Sequence, residues 1–244
     1  MGQLSAVNVI TIGSLGNFGR FGNQLFQYAF ARAMADRFDA VLQTPPWVGQ
    51  RLFGLDDPAI DVTLPTLAVD EIPDGPNVDL HGYFQHARHL QFLSEARLKS
   101  MYSLLPVWKD HPRCRPHVAA HLRRGDYASR FADIYCIVSR QSYLRACERY
   151  GLDVEKMVWY SEESQACGDP APEGLGFLPD FLEMMDAEVL LRANSTFSWW
   201  AGLLGNARVY SPLVGSLSGP HDVDFVEGNW PRMVWHQDDL ILPP

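Results

Sequence analysis

Short apolar runs recur along this chain, and each is followed by a polar or glycine-rich break and then by apolar residues at helical spacing. That alternation is the strongest constraint on the fold. Residues 7–12 read as a buried strand, a glycine-rich turn follows, and a helix is expected over 23–38 with Leu25, Phe26, Ala29, Phe30, Ala33 and Phe38 as its apolar stripe. Further strands are expected over 40–42 and 78–83, and further helices over 87–99. The pattern then repeats: strands over 118–122, 157–160, 188–193 and 208–211, helices over 140–150, 181–186 and 197–204. Strand-helix alternation of this kind builds parallel sheets with helices on both faces, an α/β fold. Residues 47–75 are rich in Pro and Asp with little periodicity and are expected as loops and short helices. The polar, proline-bounded stretch 109–116 is the candidate linker between two domains.

In open α/β sheets, ligands bind where strands end and loops begin. The run Val118-Ala119-Ala120 leads there into His121-Leu122-Arg123-Arg124-Gly125-Asp126-Tyr127. Arginine presents a planar fork of donors that matches phosphate oxygens. Gly125 permits a tight turn or a close approach to a ligand. Asp126 can orient an arginine or accept a proton. The same string on a surface would be only a solvated Arg-Asp turn. The second such edge is Asn194-Ser195-Thr196-Phe197-Ser198-Trp199-Trp200, after Val189-Leu190-Leu191. It puts three hydroxyls at a helix start, where free N–H groups and the helix dipole favour anions. Ordinary helix capping would also explain Ser195 or Thr196. Trp199 and Trp200 read as core.

These two stretches resemble motifs of the fucosyltransferase superfamily, most closely glycosyltransferase family 11, the α-1,2-fucosyltransferases. Gly22-Asn23-Gln24-Leu25-Phe26-Gln27-Tyr28-Ala29-Phe30 is similar to that family's N-terminal signature, and Gly82-Tyr83-Phe84-Gln85 to its middle motif. The resemblance implies two Rossmann-like domains facing across a cleft, the GT-B arrangement. An acceptor-side domain is expected over 1–112 and a GDP-fucose-binding domain over 113–220. A C-terminal tail, 221–244, is expected to pack back on the first domain through Trp230 and Trp235. It further implies that donor contacts come from His121, Arg124, Tyr127, Asp180, Asn194, Ser195, Thr196 and Ser198. Trp47, Tyr83 and Gln85 become the acceptor candidates, and Asn23 is placed near the reacting centre.

Several of these residues have a second reading. Asn23 could cap its helix. Asp180 could accept from guanine N–H groups or cap the helix after Pro179. His121 could pack inward or orient an arginine. Trp47 could stack on a sugar or cover the core. Two features depart from bacterial members of family 11 and look like the protein O-fucosyltransferases: Gly19-Arg20-Phe21-Gly22 before Asn23, and Pro45-Pro46-Trp47. They bear on the acceptor, not the donor. Val189 stands where family members usually carry a histidine.

The glycines Gly13, Gly16, Gly19 and Gly22 could suggest a dinucleotide-binding loop. That fingerprint also wants an acid at the end of the second strand, and the chain has Gln43 and Thr44 there. A nicotinamide enzyme, dehydrogenase or epimerase, is disfavoured accordingly. Metal ligation is not expected. The one Asp-x-Asp, Asp222-Val223-Asp224, has no strand clearly leading into it, and His81, His86 and His89 lack an obvious further ligand. A net charge of -9 argues against nucleic acid or an anionic membrane as the main partner. No apolar run reaches the length of a membrane span, and no signal-peptide pattern opens the chain. The four cysteines, Cys114, Cys136, Cys147 and Cys167, show no C-x-x-C spacing. A cytoplasmic protein with free thiols is the expectation, which departs from the membrane-anchored animal members.

The combined expectation is a metal-independent, inverting enzyme without a cofactor, carrying fucose from GDP-fucose to a hydroxyl of an acceptor glycan. Galactoside α-1,2 transfer is the first choice. Arg124 and then Arg123 would stabilise the charge growing on the diphosphate. Asp126, Glu162 and Glu163 are the candidate bases. Alternatives are an O-fucosyltransferase acting on another sugar or a peptide, and a non-catalytic carbohydrate-binding protein on the same fold.

Overall fold

The computed structural model describes residues 7–161 and 174–229. They divide into two compact units, with the division between Lys109 and Asp110.

The first unit holds a three-stranded parallel sheet in the order β2-β1-β3, from β1 (Val9–Thr11), β2 (Val41–Gln43) and β3 (Val78–Asp79). Ile10 is paired with Leu42 on one side and Val78 on the other. The long helix α1 (Phe21–Arg37) connects β1 to β2 and is buried over most of its circumference, with Leu25, Phe26, Ala29 and Phe30 fully enclosed. Burying a side chain of the size of Leu25, Phe26 or Phe30 stabilises by about 1.5–3 kcal/mol. Arg20, not Asn23, is the N-cap of α1. α2 (Val48–Phe53) lies within the Pro- and Asp-rich stretch.

Two expectations change here. The strand expected over 78–83 stops at Asp79, because residues 80–85 turn outward as a loop with Gly82 and Phe84 at positive φ. The helix expected over 87–99 is broken into α3 (Ala87–Leu90) and α4 (Glu95–Met101). Ser94 interrupts it by accepting the Arg97 N–H and capping the second piece. α5 (Pro106–Lys109) closes the unit.

The second unit is built on a five-stranded sheet in the order β10-β8-β7-β4-β6. β4 (Val118–His121), β6 (Met157–Tyr160), β7 (Val189–Leu191) and β8 (Arg208–Pro212) run parallel, and β10 (Phe225–Glu227) pairs antiparallel with β8. α6 (Gly125–Ser129), α7 (Arg140–Tyr150), α8 (Leu178–Asp186) and α9 (Thr196–Leu204) complete it, with a short parallel pair of β5 (Cys136–Val138) and β9 (Gly219–His221). α6, β5, β9 and β10 are too short for periodicity to announce. Trp199 and Trp200 of α9 are fully buried and meet edge to face. The expected tail is corrected at its start: His221 ends β9 and residues 225–227 form β10 of this unit, held by Tyr150 donating to the Phe225 carbonyl at 2.7 Å. Trp230, Trp235 and the rest of that tail lie outside the described residues. Cys114, Cys136 and Cys147 are free thiols.

Candidate functional site

Both sequence edges fall at the C-terminal ends of adjacent parallel strands. β4 and β7 pair in register, Ala120 opposite Leu191, so the loops that follow them emerge side by side. After β4 the chain passes through Arg123 and Arg124 and turns at Gly125, whose φ of +27° suits glycine, into the single turn of α6. Arg123 pairs with Asp126 and lies over the Tyr127 ring at 4.8 Å. Arg124 Nη1 donates to the Arg123 carbonyl at 3.2 Å. After β7 the chain passes through Asn194 to Ser195, the N-cap of α9, whose Oγ accepts from Phe197 N–H at 3.4 Å. Ser198 is fully buried, and its hydroxyl donates to the Ser195 carbonyl at 3.5 Å. Thr196 stands at the first position of the helix. The two loops are joined by Tyr127, whose hydroxyl donates to the Asn194 carbonyl at 3.2 Å. Tyr127 also stacks on Tyr135, with ring centroids 4.5 Å apart.

His121 is an inward-packed histidine. It is 6 % exposed and meets Phe197 at 5.8 Å, and its Nδ1 has no hydrogen-bond partner among the described residues. Burial, and then the Arg123 charge, push its pKa down to about 3, so the ring is neutral. Asp180 does not cap α8. The N-cap is Phe177, and Asp180 stands in the first turn. Burial and then the neighbouring Glu183 raise its carboxyl to about 6. Glu183 itself is fully buried and accepts from the Tyr160 hydroxyl at 2.9 Å. Glu162 and Glu163 lie outside the described residues.

The first unit has its own cluster at the end of β1 and β3. Gln85 Nε2 donates to Asn23 Oδ1 at 3.1 Å. Tyr83 stacks on Phe18 of the glycine-rich loop, centroids 4.3 Å apart. Gly19, at φ +83°, lies so close that a Cβ there would stand 2.6 Å from Asn23 Nδ2 and 2.9 Å from the Tyr83 ring. Asn23, Tyr83 and Gln85 are therefore neighbours. Trp47 is corrected: it is 6 % exposed and packs on Tyr28 at 5.1 Å and against Gly49, so its ring covers the core.

The supports of this cluster were missed. Gln24 Nε2 donates to the carbonyls of Gly16 and Gly19, both at 3.2 Å, and Gln27 Nε2 to that of Phe18 at 2.7 Å. Asp79 accepts from Gly13 N–H and Thr11 Oγ1. Asp70 Oδ1 accepts from the N–H groups of Tyr83 and Phe84, at 2.6 and 2.7 Å. That holds Phe84, a buried aromatic residue, at φ +53°. Arg192 was missed as well, though it follows an apolar strand as Arg123 does. Burial lowers its guanidinium to about 9, which leaves it charged at neutral pH.

Among the described residues no group of His, Cys, Asp and Glu is placed to hold a metal. Asp222 of the Asp-x-Asp is engaged by Arg145 and Ser139. No helix among them is long and apolar enough to cross a membrane.

No protein-family model matches the chain, and no curated protein matches it in sequence. Solved structures do. NodZ from Bradyrhizobium, a fucosyltransferase, is 12 % identical with a TM-score of 0.53, over 92 % of this chain and all of that one. NodZ α-1,6-fucosyltransferase soaked with GDP-fucose is 12 % identical with a TM-score of 0.52, over 91 % of this chain and all of that one. An Arabidopsis thaliana FUT1 mutant in complex with GDP is 11 % identical with a TM-score of 0.48, over 86 % of this chain and 71 % of that one. The likeness to NodZ shows the fold: α/β, of the GT-B type, with two Rossmann-like units.

Proposed function

We propose that the chain is an inverting fucosyltransferase that takes L-fucose from GDP-fucose. The observation that carries this reading is the union of two loops at one sheet edge. The arginine loop after β4 and the hydroxyl-bearing start of α9 are tied by the Tyr127–Asn194 hydrogen bond. Such an edge suits a diphosphate: guanidinium donors from one loop, helix N–H groups and hydroxyls from the other. The fold shared with NodZ, a structure soaked with GDP-fucose, supports the donor.

In the reaction, an acceptor hydroxyl attacks the anomeric carbon from the face opposite GDP. The C–O bond to the diphosphate breaks, and the electron pair stays on the diphosphate. Arg124 stabilises that growing charge, with Arg123 held beside it by Asp126 and the Tyr127 ring. The hydroxyl proton passes to a base, for which Asp126 is a candidate. Asp180 takes the guanine. Asn23, Tyr83 and Gln85 serve the sugar side. The donor is used without a metal. We assign the acceptor as a galactoside, with transfer to its 2-hydroxyl.

The test is release of GDP from GDP-fucose across a glycan panel, with linkage analysis of any product. A fucosylated galactoside with a 1,2 bond supports the full reading. A product on another hydroxyl or on a peptide keeps the donor and overturns the acceptor. Acceptors that bind without GDP release would make the protein a carbohydrate-binding one. Within that assay, Arg124→Lys keeps the charge and loses the fork, so turnover at saturating donor should fall roughly 10- to 100-fold, and further in Arg124→Ala.

A further inference from the structure

A third guanidinium stands at the edge that carries Arg123 and Arg124. Arg192 directly follows the last residue of β7, and β7 lies beside β4 in the sheet. The residue is 3 % exposed. Its Nε donates to Ser211 Oγ at 2.6 Å and its Nη1 to the Ala193 carbonyl at 3.0 Å. Ser211 in turn donates to the Gly228 carbonyl at 2.5 Å, so the partner of the guanidinium is itself fixed. Beneath the edge lies Tyr143, fully buried, its hydroxyl donating to the His121 carbonyl at 2.6 Å. The pairing of Ala120 with Leu191 puts Arg192 just past the same sheet edge as Arg123 and Arg124. Positive charges from two different loops thus stand at one sheet edge.

A charge held in the interior is screened less than one in water, so its field reaches further. It is also costly to bury, which argues against a packing role alone, since an apolar residue of similar volume would serve as well there. We propose that Arg192 supplies a further, buried positive charge to the phosphate end of this site, selecting nucleoside diphosphates over monophosphates by field. The proposal rests on the donor reading above. It gives Arg192 a positioning role in binding and no contact with the reacting atoms.

The test compares GDP with GMP by titration calorimetry on the full chain, in the wild type, Arg192→Lys, Arg192→Gln and Arg192→Met, each with a melting curve. Met is included because an apolar residue of similar size is the substitution a buried site tolerates best. Lysine should keep the wild-type preference for GDP within about twofold. Glutamine and methionine should lower that preference roughly five- to tenfold, with GMP affinity changed less. A folded Gln or Met variant with an unchanged GDP-to-GMP ratio overturns the proposal and leaves the donor reading intact. A wild type that ignores both nucleotides overturns the donor reading, and this proposal with it.

Discussion

The Tyr127 hydroxyl donates to the carbonyl of Asn194 at 3.2 Å, across 67 positions of sequence. This bond joins the arginine loop to the start of α9, so each loop limits the motion of the other. A neutral hydrogen bond of this kind contributes about 0.5–1.5 kcal/mol. Tyr127→Phe keeps the ring stacked on Tyr135 and under Arg123. GDP affinity should fall roughly two- to tenfold, with the melting temperature nearly unchanged. Calorimetry on the variant checks it, and an affinity equal to wild type would remove this bond from the site.

If Asp180 takes the guanine, nucleotide binding should carry a pH signature. The folded-state pKa of Asp180 is raised from 3.8 to about 6, by burial first and Glu183 second. A raised pKa means the folded protein holds the proton more tightly than the unfolded chain. The stability this contributes is fully present below pH 3.8 and is lost as pH rises through about 6. Guanine N–H groups need the ionised form as acceptor, so GDP affinity should move the other way. It should be about tenfold weaker at pH 5 than at pH 7.5 and level above that. In Asp180→Asn the dependence should vanish. A wild-type affinity that is flat over this range sinks the guanine assignment.

Gln27 is fully buried, and its Nε2 donates to the Phe18 carbonyl at 2.7 Å. Gln27→Leu has a similar volume but leaves that carbonyl without its donor. The loss should be about 1–3 kcal/mol, read from urea or thermal unfolding. Gln27→Glu also lacks the amide donor and adds a buried charge, so it should lose more. Equal stability of the leucine variant and the wild type would contradict the clamping role.

Gly19→Ala tests the close approach beside Asn23. The backbone there is at φ +83°, and the added carbon would meet Asn23 and Tyr83 within 3 Å. A strained backbone position costs on the order of 1–3 kcal/mol. The variant should melt lower, and if Asn23 and Tyr83 serve the sugar side, acceptor use should weaken more than GDP binding. GDP affinity that falls as far as the acceptor's apparent affinity, or further, would reverse the assignment of this cluster.

Removal of metal should be without effect. The carboxylate of Asp222 is engaged by Arg145 and Ser139. GDP release in excess chelator should match the untreated rate. Activity lost to the chelator and restored by manganese or magnesium would take the leaving-group role away from Arg124.

The amino-acid sequence alone carried the local part of this protein. Hydrophobic period and turn residues are properties of neighbours in the chain, so the alternation of strands and helices was legible. So was the placement of Arg123, Arg124 and Ser195 just past strand ends. Periodicity failed where a tertiary partner overrode it, as at residues 80–85, which Asp70 draws away from the sheet through the N–H groups of Tyr83 and Phe84. It also could not decide between two roles for one side chain. Trp47 became core and His121 a neutral packed ring because of what surrounds them, and burial is a sum over residues distant in sequence. Gln24 and Gln27 stand in the N-terminal signature, but their role as donors to the loop carbonyls of Gly16, Gly19 and Phe18 follows only from the fold. Arg192 acquired its place only when β7 lay beside β4 and packing buried its guanidinium against Ser211. Strand pairing and burial are long-range, and they alone convert residues scattered along the chain into a site.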